Sequence, residues 1–270
     1  MAADASGTLT TLTRLGFVAR GLLYLVIAWL ILTVGRAEDP SGALGYLAKG
    51  TGHWLLIMMA IGFIAYGLWR MVDAAFNIER HEPGSKGLRE RLGAGASGIV
   101  HLLLAWQAIR LIQGASQNSG GGSGGTEAKA QSALGLPGGQ LLLLVAALVL
   151  VGVGLFQLVK AYKCSFADKL DGRVRNADWV KWTGRGGYSA RGLVFAITGL
   201  FLAKAGLQEE ASEAGGIAEA LGWLTSPWDM IVAAGLALFG VFSLIEARYR
   251  VIQDVPVKGM AAKARAKLPG

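Results

Sequence analysis

Charge is scarce in this chain and cysteine nearly absent, and each shortage excludes something. Only 16% of the 270 residues are charged, against roughly 25% in soluble globular domains, so there are too few solvated groups to cover a water-facing surface. The single cysteine, Cys164, can form no intramolecular disulfide. It reads as an inert thiol, with no histidine matched to it as a catalytic partner. No cluster at metal-ligand spacing, no phosphate loop and no pair of carboxylates in a plausible cleft occurs, so neither a metal nor a cofactor is expected.

In place of charge there are long uncharged runs. With histidine set aside, they extend from Arg20 to Arg36, Lys49 to Arg70, Arg91 to Arg110, Lys129 to Lys160, Arg191 to Lys204 and Asp229 to Glu246. A helix needs about 20 mostly apolar residues to cross the hydrocarbon core, and long basic side chains at its ends can snorkel. Six spans follow, near 15–35, 53–75, 92–113, 138–160, 187–206 and 228–248. The fifth has the shortest clean run and works only if Arg191 and Lys204 reach toward opposite interfaces.

The net charge of +8 is distributed as a topology signal. With six spans, 21 of the 26 lysines and arginines fall on the side of both termini and of the loops near 76–91 and 161–186. Basic residues are retained in the cytoplasm, so both termini are expected inside the inner membrane, with anionic lipid as a secondary attraction. Nucleic acid is not a partner on this distribution. A cleaved signal peptide is the rival reading of the first span, with "LLYLVIAWLILTVG" as its apolar core. The internal repeat opposes it, because cleavage would remove one of six matched helices.

That repeat has three units of two spans. The odd helices begin "RLGFVARGLLYL" at Arg14, "RLGAGASGIVHL" at Arg91 and "RGGYSARGLVFA" at Arg185, while the even ones end "GLWRMVDAA" from Gly67, "GLFQLVKAY" from Gly154 and "GVFSLIEAR" from Gly240. Outer loops share "ALGYL", "ALGLP" and "ALGWL", read as brief interfacial helices. The units divide as 1–90, 91–180 and 181–252, followed by a basic tail at 253–270. With two spans per unit, all three enter the membrane in one orientation, related by a pseudo-three-fold axis along its normal. Only the second unit has the glycine-rich outer loop at 117–131, expected to be flexible with no fold of its own.

The repeated "ARG" triplet and the ending "GVFSLIEARYRVI" resemble the bacterial membrane proteins grouped as domain of unknown function 1206, over roughly residues 10–252. The resemblance implies a six-helix inner-membrane protein with no assigned activity. The second unit departs from it, with Ser97 where the others carry arginine.

Charges inside the membrane are costly and are normally paired or kept in a wet cavity. Aligned positions near the inner end are Arg20, Ser97 and Arg191 on odd helices, and Asp73, Lys160 and Glu246 on even ones. Pairing within units sets Arg20 against Asp73, Ser97 against Lys160 and Arg191 against Glu246, so that no like charges meet. Either neighbouring register puts an arginine opposite Lys160. Two hairpin clasps, Arg20–Asp73 and Arg191–Glu246, are therefore expected, with Arg70 and Arg248 as alternative partners for the acids.

Other signals have plainer readings. His101, in mid-span, suits a hydrogen-bonded packing histidine better than a haem ligand paired with His53, which sits at the outer end of its helix. "GAGASG" at Gly93 follows no strand, and "GGSGG" at Gly121 has no strand-turn-helix setting. Glu209, Glu210, Glu213 and Glu219 read as a solvated face rather than a cation site. The expected architecture is an all-α, six-span integral membrane bundle. The expected role is a non-catalytic scaffold or accessory subunit that contacts lipid, anionic head groups at the cytoplasmic face, and a protein partner in the membrane. A permeation path for an ion or small molecule along the axis is the alternative if Arg20, Arg191, Lys160 or His101 converge on a wet cavity. A lipid-acting enzyme comes third.

Overall fold

The computed structural model describes residues 5–35, 37–49, 52–79, 81, 83–114 and 123–251. The tail expected at 253–270 lies outside these residues. The helices are α1 (Ala5–Trp29, continued by a π-helical turn at Leu30–Val34), α2 (Pro40–Ala48), α3 (His53–Phe76), α4 (Ser85–Ile112), α5 (Ser123–Leu134), α6 (Gly139–Lys163), α7 (Gly172–Arg175), α8 (Asp178–Gln208), α9 (Ile217–Trp223) and α10 (Trp228–Tyr249). Six of them, α1, α3, α4, α6, α8 and α10, are long and apolar enough to cross a membrane. The shortest, α10, has 22 residues, about 33 Å at 1.5 Å per residue. The architecture is thus the expected all-α multi-pass bundle of three paired regions.

Spanning helices pack in the order α4, α3, α1, α10, α8, α6. Three of the seams join an even helix of one unit to the odd helix of the next, and aligned glycines cross in each. A Cβ built at Gly21 would lie 2.9 Å from the Gly240 carbonyl oxygen, one at Gly67 3.1 Å from that of Gly98, and one at Gly154 2.7 Å from that of Gly192. Small residues let backbones approach this closely in a medium that supplies no hydrophobic drive between helices.

The pseudo-three-fold relation recurs in these neighbour seams but not in the hairpins. Units one and three close theirs: Gly62 packs on Ala19 and Gly16 on Tyr66, while Gly235 packs on Ala190 and Gly187 on Phe239. In unit two, α4 and α6 share no packed seam among the described residues. Gly93, aligned with Gly16 and Gly187, has nothing near where its Cβ would be. The cause is legible on α6, where Val149 and Val153 replace the Gly62/Tyr66 and Gly235/Phe239 pairs, and both valines are exposed. A β-branched side chain cannot allow the approach that glycine does, so the ring stays open between α4 and α6.

One apolar core runs through the bundle, with Phe63 on α3, Leu23 and Ile27 on α1, Val194 on α8, and Leu236, Phe239 and Phe242 on α10. The short helices read as interfacial do more than float at the surface. Leu44 of α2 and Leu221 of α9 are fully buried in that core, and only Tyr46 and Trp223 turn outward. Asp39 caps α2 by accepting from the Gly42 amide at 2.7 Å. The glycine-rich loop is corrected in part: Ser123–Leu134 is helical, and Ala130 packs with Leu143, Ala147 and Leu202. Alanine, leucine and lysine after Gly125 are good helix formers, and that local preference outweighs the glycines before it.

Candidate functional site

The described parts of the 76–91 loop, the segment 161–186 and the C-terminal end of α10 gather at one end of the bundle, here termed the basic end. Arg20, on the second half of α1, is 8% exposed and Glu246 on α10 is 3% exposed. They form an ion pair with each other across the neighbour seam. The Arg20 Nε also donates to Ser243 Oγ at 3.1 Å and its Nη1 to the Tyr66 hydroxyl at 3.3 Å. Its guanidinium stands 4.7 Å from the Phe17 ring and 5.2 Å from that of Phe239. The other Glu246 oxygen accepts from Arg250 at 2.8 Å.

Arg250 then donates at 2.7 Å to Glu79, which also receives Lys169. Lys169 lies in a 3-10 turn, Ser165–Lys169, and its strand-like continuation bonds to the end of α10 through Asp171 N to Tyr249 O at 2.8 Å and Val251 N to Lys169 O at 2.9 Å. One chain of charges therefore ties unit one (Arg20, Glu79), unit two (Lys169) and unit three (Glu246, Arg250) together.

The expected within-unit clasps do not form. Arg20 takes Glu246 rather than Asp73, so the register is the neighbouring one. Asp73, fully buried, holds Arg70 at 3.3 Å and His81 at 3.1 Å and accepts the Glu79 amide at 2.8 Å. Arg70 is the alternative partner named from the sequence; Arg250 acts at Glu246 where Arg248 was named. Arg191 has no carboxylate partner among the described residues. Its Nε donates to the Tyr24 hydroxyl at 2.8 Å and its guanidinium lies over Tyr24, Phe195 and Phe239. Lys160 donates to the Tyr188 hydroxyl at 3.0 Å, not to Ser97. The two cations that this register sets in one seam, Arg191 and Lys160, each turn to a tyrosine hydroxyl. Ser97 offers its carbonyl to His101 Nδ1 at 2.7 Å, and the imidazole packs 4.4 Å from Tyr66, so His101 is a packing residue.

Asp73, Glu79 and His81 bring one ligand atom each within 4.8 Å of one another. The donor types suit a metal ion, but both carboxylates are engaged by cations, Arg70 on Asp73 and Lys169 with Arg250 on Glu79. The cluster instead shapes the turn from α3 to α4. His81 bridges Asp73 and Glu90, and Arg91 covers the last carbonyls of α3, bonding Ala74 O at 2.9 Å and Ala75 O at 3.0 Å.

Burial of Glu79 would raise its pKa, but Arg250 and Lys169 outweigh this and hold it at about 2, below the ordinary 4.5. A depressed carboxylate stabilises above its unfolded pKa and loses that contribution as pH falls toward the folded value. Wild-type protein in detergent is therefore expected to exceed Glu79→Gln in thermal midpoint at neutral pH. The gap should close as pH drops below about 4.5. A gap that persists unchanged down to about pH 3 contradicts the pairing.

A cavity of about 410 Å³ opens at the same end, lined by Arg14, Asp171, Arg173, Arg248, Tyr249 and Arg250 among others. Asp171 is occupied by Arg173 at 2.8 Å, whereas Arg14 and Arg248 make no ion pair among the described residues. Sequence reasoning missed Glu79, Lys169 and Arg250, which sit beyond the spans. It also missed the tyrosines Tyr24, Tyr66 and Tyr188, whose hydroxyls receive Arg191, Arg20 and Lys160. The one available signal was Arg250 at i+4 from Glu246, on the final turn of a helix.

Comparison with known proteins yields a relative and a family. The chain is 30% identical over 252 residues to "Uncharacterized protein YxxB" of Bacillus subtilis (strain 168), which covers 88% of this chain and 90% of that protein. No solved structure matches. The profile of the family described as Domain of Unknown Function (DUF1206) matches three times, over residues 15–77, 92–163 and 186–250, one match to each pair of spans. The chain is therefore a multi-pass bacterial membrane protein that belongs to this family.

Proposed function

We propose that the protein is a non-catalytic scaffold of the bacterial inner membrane, with both termini cytoplasmic, that holds a membrane partner beside its second unit. The observation that carries this is how the buried charges are used. Arg20, Glu246, Arg250, Glu79 and Lys169 are consumed in joining the three units, and Asp73, Arg70 and His81 in shaping a turn. No nucleophile, base and electrophilic aid converge among them. The basic excess on one side supports the orientation.

Permeation along the axis fits less well. Phe239 stands between Arg20 and Arg191 within an apolar core, and Lys160 and His101 lie on separate seams. Purification from native membrane in mild detergent should recover a stoichiometric membrane partner, and proteoliposomes should show no ion flux above empty vesicles. Flux that Arg191→Ala alters would overturn the scaffold reading.

A second reading concerns anionic head groups and rests on the cavity at the basic end. Arg14 and Arg248 are free to neutralise a phosphate there. Vesicles containing phosphatidylglycerol should stabilise the wild-type protein more than Arg14→Ala/Arg248→Ala, and purely zwitterionic vesicles should treat the two alike.

A further inference from the structure

The three neighbour seams share one backbone geometry and differ in charge. Where α10 meets α1, Gly240 crosses Gly21, and the next positions on α10 supply Ser243 and Glu246 to Arg20. Where α6 meets α8, Gly154 crosses Gly192 equally closely, and the aligned residues are Gln157, Lys160 and Arg191. The arginine is kept, the hydroxyl becomes an amide, and the acid becomes a second cation. Taken with Arg70, the aligned positions of all three seams carry four cations, Arg20, Arg70, Lys160 and Arg191, against two carboxylates, Asp73 and Glu246.

No carboxylate among the described residues bonds directly to Lys160 or Arg191, although Lys160 lies within electrostatic reach of Glu246. Lys160 and Arg191 are bonded only to tyrosine hydroxyls, and the terminal guanidinium nitrogens of Arg191 have no partner among the described residues. Gln157 is 4% exposed, yet neither its amide nitrogen nor its oxygen has a hydrogen-bond partner. A buried amide left unpaired is costly, and two cations inside a bilayer with no carboxylate bonded to them more so. The seam thus keeps the glycine crossing and the arginine of its sister but not the carboxylate.

We propose that this seam binds the phosphate of an anionic phospholipid, which takes the place that the Glu246 carboxylate holds in the α10–α1 seam. Arg191 and Lys160 neutralise the phosphate and the Gln157 amide nitrogen donates to it. Each cation keeps its tyrosine hydroxyl, Arg191 that of Tyr24 and Lys160 that of Tyr188. A lipid, rather than a soluble anion, is the source because of what surrounds the seam. The separation of α4 from α6 leaves the second unit open sideways to the bilayer, and α6 exposes Leu148, Val149 and Leu155 as a track for acyl chains.

The test uses delipidated protein in detergent carrying Arg14→Ala/Arg248→Ala, so that the cavity at the basic end is silent. Native mass spectrometry and thermal midpoints are followed during titration with phosphatidylglycerol, phosphatidylcholine or inorganic phosphate. Phosphatidylglycerol is expected to bind and raise the midpoint, and the other two are not. Lys160→Glu, which places a carboxylate at the position aligned with Glu246, should bind phosphatidylglycerol at least about tenfold more weakly. Gln157→Leu should weaken binding with the lipid-free midpoint unchanged. Unaltered binding in Lys160→Glu, or equal stabilisation by phosphatidylcholine or by inorganic phosphate alone, overturns the proposal. None of these readouts depends on whether a protein partner is recovered.

Discussion

Glu246→Gln is expected to destabilise the protein by about 3–5 kcal/mol, because it leaves the buried Arg20 without a carboxylate and takes from Arg250 one of its two. Glu246 receives Arg20 on one oxygen and Arg250 on the other, and Arg20 lies buried against the rings of Phe17 and Phe239. Thermal or denaturant unfolding in detergent reads the loss. A double-mutant cycle decides the register: Arg20→Met should be strongly coupled to Glu246→Leu and nearly additive with Asp73→Asn. Coupling of Arg20 to Asp73 instead would restore the hairpin clasp that the repeat alignment suggests.

A matched pair of glycine substitutions should give the second large contrast. Gly187 and Gly93 occupy the same place in units three and two, two residues after Arg185 and Arg91. A Cβ at Gly187 would lie 2.6 Å from the backbone nitrogen and Cα of Phe239, so Gly187→Ala must push α8 from α10, at a cost of about 1–3 kcal/mol. At Gly93 nothing stands within 4 Å. Gly93→Ala should therefore leave stability unchanged or raise it by up to about 1 kcal/mol, the helix-propensity gain over glycine. Equal losses at the two positions would mean that α4 and α6 pack like the other hairpins in the membrane.

Much of the fold was legible in one dimension because lipid is an undemanding solvent. A backbone in hydrocarbon must satisfy its own hydrogen bonds, so an uncharged run of sufficient length is a helix almost by necessity. The repeat was legible for a similar reason: Gly21, Gly98 and Gly192 recur because each lies at a helix crossing where a side chain would collide. The charge pairs were not legible. Alignment placed Arg20, Asp73, Lys160 and Glu246 at one depth, but depth does not say which neighbour a side chain turns to. Counting like-charge encounters favoured the within-unit register because it treated Tyr24 and Tyr188 as inert. Their hydroxyls accept from Arg191 and Lys160, which gives each cation an acceptor that the count did not include.

The sequence by itself determined six apolar helices, their grouping into three like-oriented units and the basic excess at one end. Each of these follows from local composition, length and period, which one dimension carries. Only the tertiary structure decided that Arg20 closes on Glu246 from another unit, that Glu79 and Lys169 complete the junction from the loops, and that the second hairpin stays open at Val149 and Val153. Those outcomes depend on which helix faces stand against each other and how closely, and that is settled by packing the three units together.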